Sequence, residues 1–154
     1  VVYDPMRQEL FTASRGGGAQ VDGRRIRVSK QTTLEGALVA TGFPQRDNSR
    51  WLDDYMAMLK AMMLTTAGVR RPGAASLDLA YVAAGRVDGF WEIGLSAWDT
   101  AAGTLLITEA GGRIGTLTGQ PYVQGGHVVA GTPKVFDELV ACIGPYVPAN
   151  LRDV

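Results

Sequence analysis

Glu92 and Asp99 stand seven residues apart within GFWEIGLSAWDTAAGTLLITEAGG, Gly89 to Gly112. An aspartate that opens a helix gains a few tenths to about 1 kcal/mol from the orphan backbone N–H groups, so capping alone accounts for Asp99. The residues after it, Ala101, Ala102 and Gly103, leave the first turn nearly bare, and Trp98 can wall the carboxylate on one side. Such a turn admits a close ligand, and an acid beside helix N-terminal amides holds an anion best through a divalent cation. Asp99 is therefore a candidate ligand for Mg²⁺ shared with a phosphate. Glu92 ends the strand-like GFWE and could accept hydrogen bonds from substrate hydroxyls; the plainer reading is a solvated strand-end acid. In RRPGAAS, Gly73, Ala74 and Ala75 precede a helix and leave its N-terminal amides uncovered for a phosphate or polyol oxygen. A simple strand-to-helix turn would also explain them.

The remaining composition narrows the partners. With 154 residues and 46% hydrophobic content, the chain is long enough for a real core, or for part of a larger one. Fifteen basic residues balance fifteen acidic ones, so no overall positive field draws in nucleic acid or an anionic membrane. A single cysteine, Cys142, makes no intramolecular disulfide and fits a reducing, cytoplasmic setting. No signal-peptide pattern opens the chain, and no apolar run approaches the roughly 20 residues that span a bilayer. A soluble protein is expected. The chain begins inside strand chemistry with no leading loop, which suggests a fragment.

These candidates must be positioned by a small set of elements. Val1 to Tyr3, Leu10 to Thr12 and Ile26 to Val28 have strand chemistry, and Asp22-Gly23 is a favoured hairpin turn joining AQV to RRIRV. SRGGGA lacks a following Gly-Lys-Ser/Thr and reads as a flexible strand connection instead of a phosphate loop. From Leu34 strands and helices alternate: ALVATGF as a buried strand, then a helix capped at Asn48 or Ser49, stopped at Gly68, with Leu52, Tyr55, Met56, Leu59 and Met63 facing inward. AASLDLAYVAAGR predicts a helix with Leu77, Ala80, Tyr81 and Ala84 inside, VDGFWEI a strand, WDTAAGTLLITEAGG a glycine-stopped helix and GGHVVAG another strand. Thr132 and Pro133 cap and open the last helix. The expected class is mixed α/β (α+β): an antiparallel meander over residues 1–33 belonging to an N-terminal sheet, then an αβα layer over 34–154, with the boundary at Ser29 to Glu35.

Several blocks carry a family resemblance. WDTAAGTLLITEAGG resembles the C-terminal signature of the inositol monophosphatase family, the Mg²⁺-dependent, lithium-sensitive sugar-phosphate phosphatases. GAASLDLAYVAAGRVDGFWE and YDPMRQELFTASRGGGAQVDGRRIRVS are similar to the segments that precede it there. The resemblance runs along the whole chain and implies the layered sugar-phosphatase fold with its N-terminal part missing. It implies Mg²⁺ as cofactor, Asp99 as metal ligand and substrate contact, Glu92 as a contact to inositol ring hydroxyls, and Gly73, Ala74 and Ala75 as a substrate-binding turn. It also implies a cytoplasmic homodimer acting on a sugar or polyol phosphate. Bacterial members include one implicated in ribosomal RNA transcription, so a protein partner in the transcription apparatus is a further expectation.

The departures from the family pattern lie upstream. Family members carry Asp-Pro-Ile/Leu-Asp-Gly-Thr and an earlier Gly-Glu-Glu, which supply most metal ligands. Neither occurs here, and YDPMRQ has Met6, Arg7 and Gln8 after its Asp-Pro. The expected function is thus the C-terminal portion of an inositol monophosphatase, inactive by itself. The alternatives are a relative acting on histidinol phosphate, fructose bisphosphate or NADP, and a non-catalytic module that binds proteins. Glu92 favours a polyol.

Overall fold

In the computed structural model, which describes residues 1–123 and 125–152, the first four strands form an antiparallel meander. These are β1 (Val2–Asp4), β2 (Glu9–Ser14), β3 (Gly18–Val21) and β4 (Arg24–Ile26), paired in chain order. Asp22 (φ 49°) and Gly23 (φ 76°) take the left-handed conformations that the tight β3–β4 turn requires. The expected strand at Ile26 to Val28 ends early, because the Val28 N–H leaves the sheet and donates to the Ala110 carbonyl. SRGGGA is indeed a strand connection. The Gly16 and Gly18 N–H groups in it donate to the Glu109 carboxylate at 2.8 and 2.9 Å, so the loop cradles an anion of its own chain.

A second sheet contains β5 (Leu38–Thr41), β6 (Gly68–Arg70), β7 (Gly89–Leu95), β8 (Arg113–Gly115) and β9 (Gly126–Gly131), in the order β6-β5-β7-β9-β8. β5 is parallel to β6 and β7, whereas β9 is antiparallel to β7 and β8. The three-residue edge strands β6 and β8 were not expected. Among the described residues, four α-helices accompany the sheets: α1 (Leu52–Thr65), α2 (Ala75–Ala83), α3 (Ala97–Glu109) and α4 (Pro133–Ile143). Helices α2 and α3 lie between the two sheets; α1 and α4 cover the other face of the five-stranded sheet.

Strand periodicity divides the core. Along β7, Phe90 points to the layer of α2 and α3, while Trp91 and Ile93 point toward α1 and α4; Val128 and Val129 of β9 alternate in the same way. The inner face expected for α1 is corrected. Tyr55, Met58 and Met62 are buried, whereas Leu52, Met56 and Met63 are exposed. Apolar residues surround this helix, so two registers satisfied the same period. A 3-10 turn (Arg46–Trp51) precedes α1 where an Asn48 or Ser49 cap was expected, and the helix stops at Thr65, before Gly68. In α2 the fully buried face is Leu79, Ala80, Val82 and Ala83, with Leu77, Tyr81 and Ala84 only partly covered. The Thr132 hydroxyl accepts from the Val135 N–H at 3.2 Å and Pro133 opens α4, as expected.

Candidate active site

The end of β5, the second half of β7 and the N-termini of α2 and α3 surround one cleft of about 640 Å³, within the usual size of a small-molecule site. Gly73, Ala74, Ala75, Glu92 and Asp99 all line it. Asp99 is the third residue of α3, and its Oδ2 accepts the Ser96 N–H at 2.9 Å, half of a capping box. No donor among the described residues reaches Oδ1. The structural and the chemical readings of this aspartate are therefore compatible: one oxygen caps the helix and the other is left for a ligand.

Within the bare turn after Asp99, Gly103 serves packing: a Cβ on it would lie 2.6 Å from Leu79 Cβ, so its lack of a side chain lets α3 approach α2 closely, while Ala101 is exposed. Trp98 stands on the cleft rim, 82% exposed.

Glu92 is not a solvated strand-end acid. Its carboxyl lies against Gly42, where any side chain would collide with it, and burial pushes its pKa up to about 7, helped by the Asp78 and Asp99 charges and opposed by Arg71. Beside it, the Thr41 hydroxyl donates to the Trp91 carbonyl at 2.9 Å and so ties the ends of β5 and β7 together. Gly73 is in the left-handed region (φ 98°), and α2 begins at Ala75 with no side chain capping it. Its first turn thus borders the cleft, through Ala75 and Ser76, without a side-chain cap.

Two charged groups escaped sequence reasoning. Asp78, on the first turn of α2, is 2% exposed; its Oδ2 has no hydrogen-bond partner among the described residues, and burial pushes its pKa up to about 7 against the pull of Arg71. The available signal was that Asp78 is the only charged residue between positions 74 and 85. Arg71 lines the cleft with its guanidinium 4.9 Å from the Phe43 ring centroid.

Asp47, Glu92 and Asp99 line the cleft together with Arg71, an excess of acidic over basic groups that disfavours a phosphate dianion unless a cation intervenes. The donors are all hard oxygens, the chemistry of Mg²⁺ or Ca²⁺ and not of a thiolate or imidazole metal. Among the described residues no three acid, histidine or cysteine side chains converge as a metal cage. The donor set thus falls short of a cage, and Asp99 Oδ1 is a single hard oxygen with room for an ion held jointly with other groups.

Comparison with known proteins agrees with this geometry. The chain is 57% identical to the Nus factor SuhB of Pseudomonas aeruginosa, covering 99% of this chain and 57% of that protein. It is 51% identical to the Nus factor SuhB of Escherichia coli, covering 99% and 54%. Among solved structures, an inositol monophosphatase from Anabaena superposes with a TM-score of 0.89 at 38% identity, over 97% of this chain and 60% of that one. The extragenic suppressor protein suhB of Bartonella henselae gives 0.86 at 42% identity, over 94% and 57%. The chain spans about half the length of the curated relatives it matches. Residues 1–145 match the family model, and the chain belongs to the inositol monophosphatase family.

Proposed function

We propose that this chain forms the ring-hydroxyl side of a Mg²⁺-dependent phosphomonoesterase that hydrolyses a myo-inositol monophosphate to inositol and phosphate. The observation that carries the reading is the convergence of the α2 N-terminus, Glu92 and Asp99 on one cleft. In this reading Asp99 is a metal ligand through Oδ1, Glu92 accepts hydroxyls of the polyol ring, and the amides at Gly73 to Ala75 face a phosphate or polyol oxygen. Mg²⁺, when bound, supplies an activated water and neutralises phosphoryl oxygens. A carboxylate that accepts ring hydroxyls supports a polyol phosphate over cationic histidinol phosphate. A cytoplasmic, lithium-sensitive homodimer belongs to the same proposal through family membership.

The test is Asp99→Asn in the full-length protein. Asparagine keeps an oxygen for the Ser96 N–H and removes the hard anion, so the melting temperature should hold while phosphate release falls by roughly two orders of magnitude or more. Normal turnover with normal Mg²⁺ dependence would refute the metal role. The name Nus factor on relatives at 57% and 51% identity favours a second reading, in which the protein also acts on the transcription apparatus through protein contacts. Balanced charge disfavours direct nucleic-acid binding. Binding to purified transcription-apparatus proteins that survives Asp99→Asn would support that role, and no binding by the wild type would remove it.

A further inference from the structure

Strand β7 carries one residue more than β9 between Glu92 and Leu95. Glu92 pairs with Val128 and Leu95 with Gly126, so Ile93 and Gly94 together oppose His127. Such a bulge takes an amide out of the ladder and bends the strand, and bulges are frequent beside active sites. Gly94 has φ 82°, a conformation that disfavours any side chain, and a Cβ there would strike Asn48, which lines the same cleft. The Gly94 N–H donates to His127 Nδ1 at 3.0 Å.

His127 is placed for this purpose. It is 3% exposed, and its ring meets Trp51 edge to face, at 5.2 Å between centroids and 83° between planes. Because Nδ1 accepts, the ring proton belongs on Nε2 and the imidazole is neutral. Burial, aided by the Arg50 charge, lowers its pKa in agreement.

We propose that His127 is a positioning residue of the cleft, whose Nδ1 holds the β7 bulge that sets Glu92 and Asp99 on one wall. Glu92 immediately precedes the extra residue, and Ser96, whose N–H is held by Asp99, follows at the start of α3. A shift of one residue along a strand turns side chains to the opposite face, so the bulge decides how the strand-end acid stands relative to the helix acid. The proposal rests on the enzymatic reading for its consequence, but its geometry can be measured independently.

The experiment compares His127→Asn, His127→Gln and His127→Leu. Asparagine offers its carbonyl oxygen near the place of Nδ1, glutamine reaches toward Nε2, and leucine fills space without an acceptor. Amide hydrogen exchange at Gly94 is read in each variant, and kcat/KM for inositol 1-phosphate is measured in the full-length protein. Gly94 exchange and kcat/KM should stay within about twofold of wild type in His127→Asn, and exchange should be roughly tenfold faster, with kcat/KM roughly tenfold lower, in the other two. A packing role alone would rank leucine above the smaller asparagine. Unchanged Gly94 exchange in His127→Leu, or an asparagine variant as defective as leucine, overturns the proposal. Exchange that follows the acceptor in a wild type that releases no phosphate would support the role of His127 and reject the phosphatase reading instead.

Discussion

Three carboxyl groups do different work, Glu92 and Asp99 lining the cleft and Asp78 buried near Glu92, and their surroundings assign the work. Asp99 is committed through one oxygen to the Ser96 N–H. Asp78 is buried, Glu92 is half-buried, and both hold their protons up to about pH 7. For Glu92, the proposed bond to ring hydroxyls exists in the ground state and the transition state alike, so its loss weakens binding and blurs substrate choice. A hydroxyl bond to a charged group is worth about 1.5 to 3 kcal/mol, so above about pH 7, where Glu92 is ionised, Glu92→Gln should lower kcat/KM for inositol phosphate in the full-length protein by roughly one to two orders of magnitude. Hydrolysis of a simple phosphate ester without a polyol ring should change far less. Equal losses on both substrates would move Glu92 to the metal or phosphate machinery. Asp78 makes a prediction about stability instead of rate. Its folded pKa of about 7 lies above the unfolded value of about 3.9, so the native state binds the extra proton between those limits. The resulting stability is present in full below the unfolded value and is lost as pH rises through about 7. Asp78→Asn cannot titrate, so the decline in melting temperature from pH 5 to pH 8 should be shallower in the variant than in the wild type. Identical slopes would mean that Asp78 is not a buried acid of this kind.

At the scale of elements, what holds the site is the approach of α2 to α3, and Gly103 sets its distance. Alanine in an exposed helix is favoured over glycine by about 1 kcal/mol, but here the new Cβ would lie 2.6 Å from Leu79 Cβ, and overpacking costs about 1 to 3 kcal/mol. Gly103→Ala should therefore lower the melting temperature by a few degrees, because the steric cost exceeds the helical gain. A rise in melting temperature would show that the two helices separate freely. The same contact explains what the sequence could reveal. Elements punctuated by local backbone chemistry were legible: the Asp22-Gly23 turn, the Thr132-Pro133 helix start, the Gly111 stop after α3 (φ 85°), and the uncapped turn at Gly73 to Ala75. The α1 register was not, because methionine and leucine occur on every side of that helix and only packing against Trp91 and α4 selects Met58 and Met62. The strands β6 and β8, of three residues each, are too short to show a period. Site residues named by local pattern do meet in the cleft, whereas Asp78, Gly42 and His127 act through neighbours 14 to 50 positions away in sequence, such as Glu92 and Gly94. Apart from the isolation of Asp78 as the lone charge in its helix, no spacing rule within one strand or helix could expose them.

Over the whole molecule, the five-stranded sheet joins two cores, and the core on its α2–α3 side also contains Val2, Phe11 and Ala19 of the meander. The segment at the expected boundary is bonded to the second layer: the Ser29 hydroxyl donates to Asp88, the Leu34 N–H donates to Glu138, and the Gln31 carbonyl accepts from Thr132. We propose that the division into residues 1–33 and 34–154 is one of sheets, with the folding unit shared across it. Such a unit can be well ordered and still lack the chemistry. Its cleft offers Asp99 as the one expected metal ligand, and among the described residues no three potential ligand side chains converge. Phosphate ester hydrolysis by the proposed route needs metal ions to generate the nucleophile and to stabilise the phosphoryl oxygens and the leaving alkoxide. A single carboxylate cannot retain two or three such ions. Each ion is worth several kcal/mol of transition-state stabilisation, and at about 1.4 kcal/mol per tenfold their loss amounts to several orders of magnitude in rate. The 154-residue chain by itself should therefore release phosphate from inositol 1-phosphate at no more than the background rate, even at saturating Mg²⁺, while the full-length protein turns over under the same conditions. Far-UV circular dichroism and a cooperative melt on the same sample would separate an inactive folded chain from an unfolded one. Turnover by the folded chain at a rate near that of the full-length protein would mean that the ligands in this cleft suffice, and that the metal requirement had been assigned to the wrong groups.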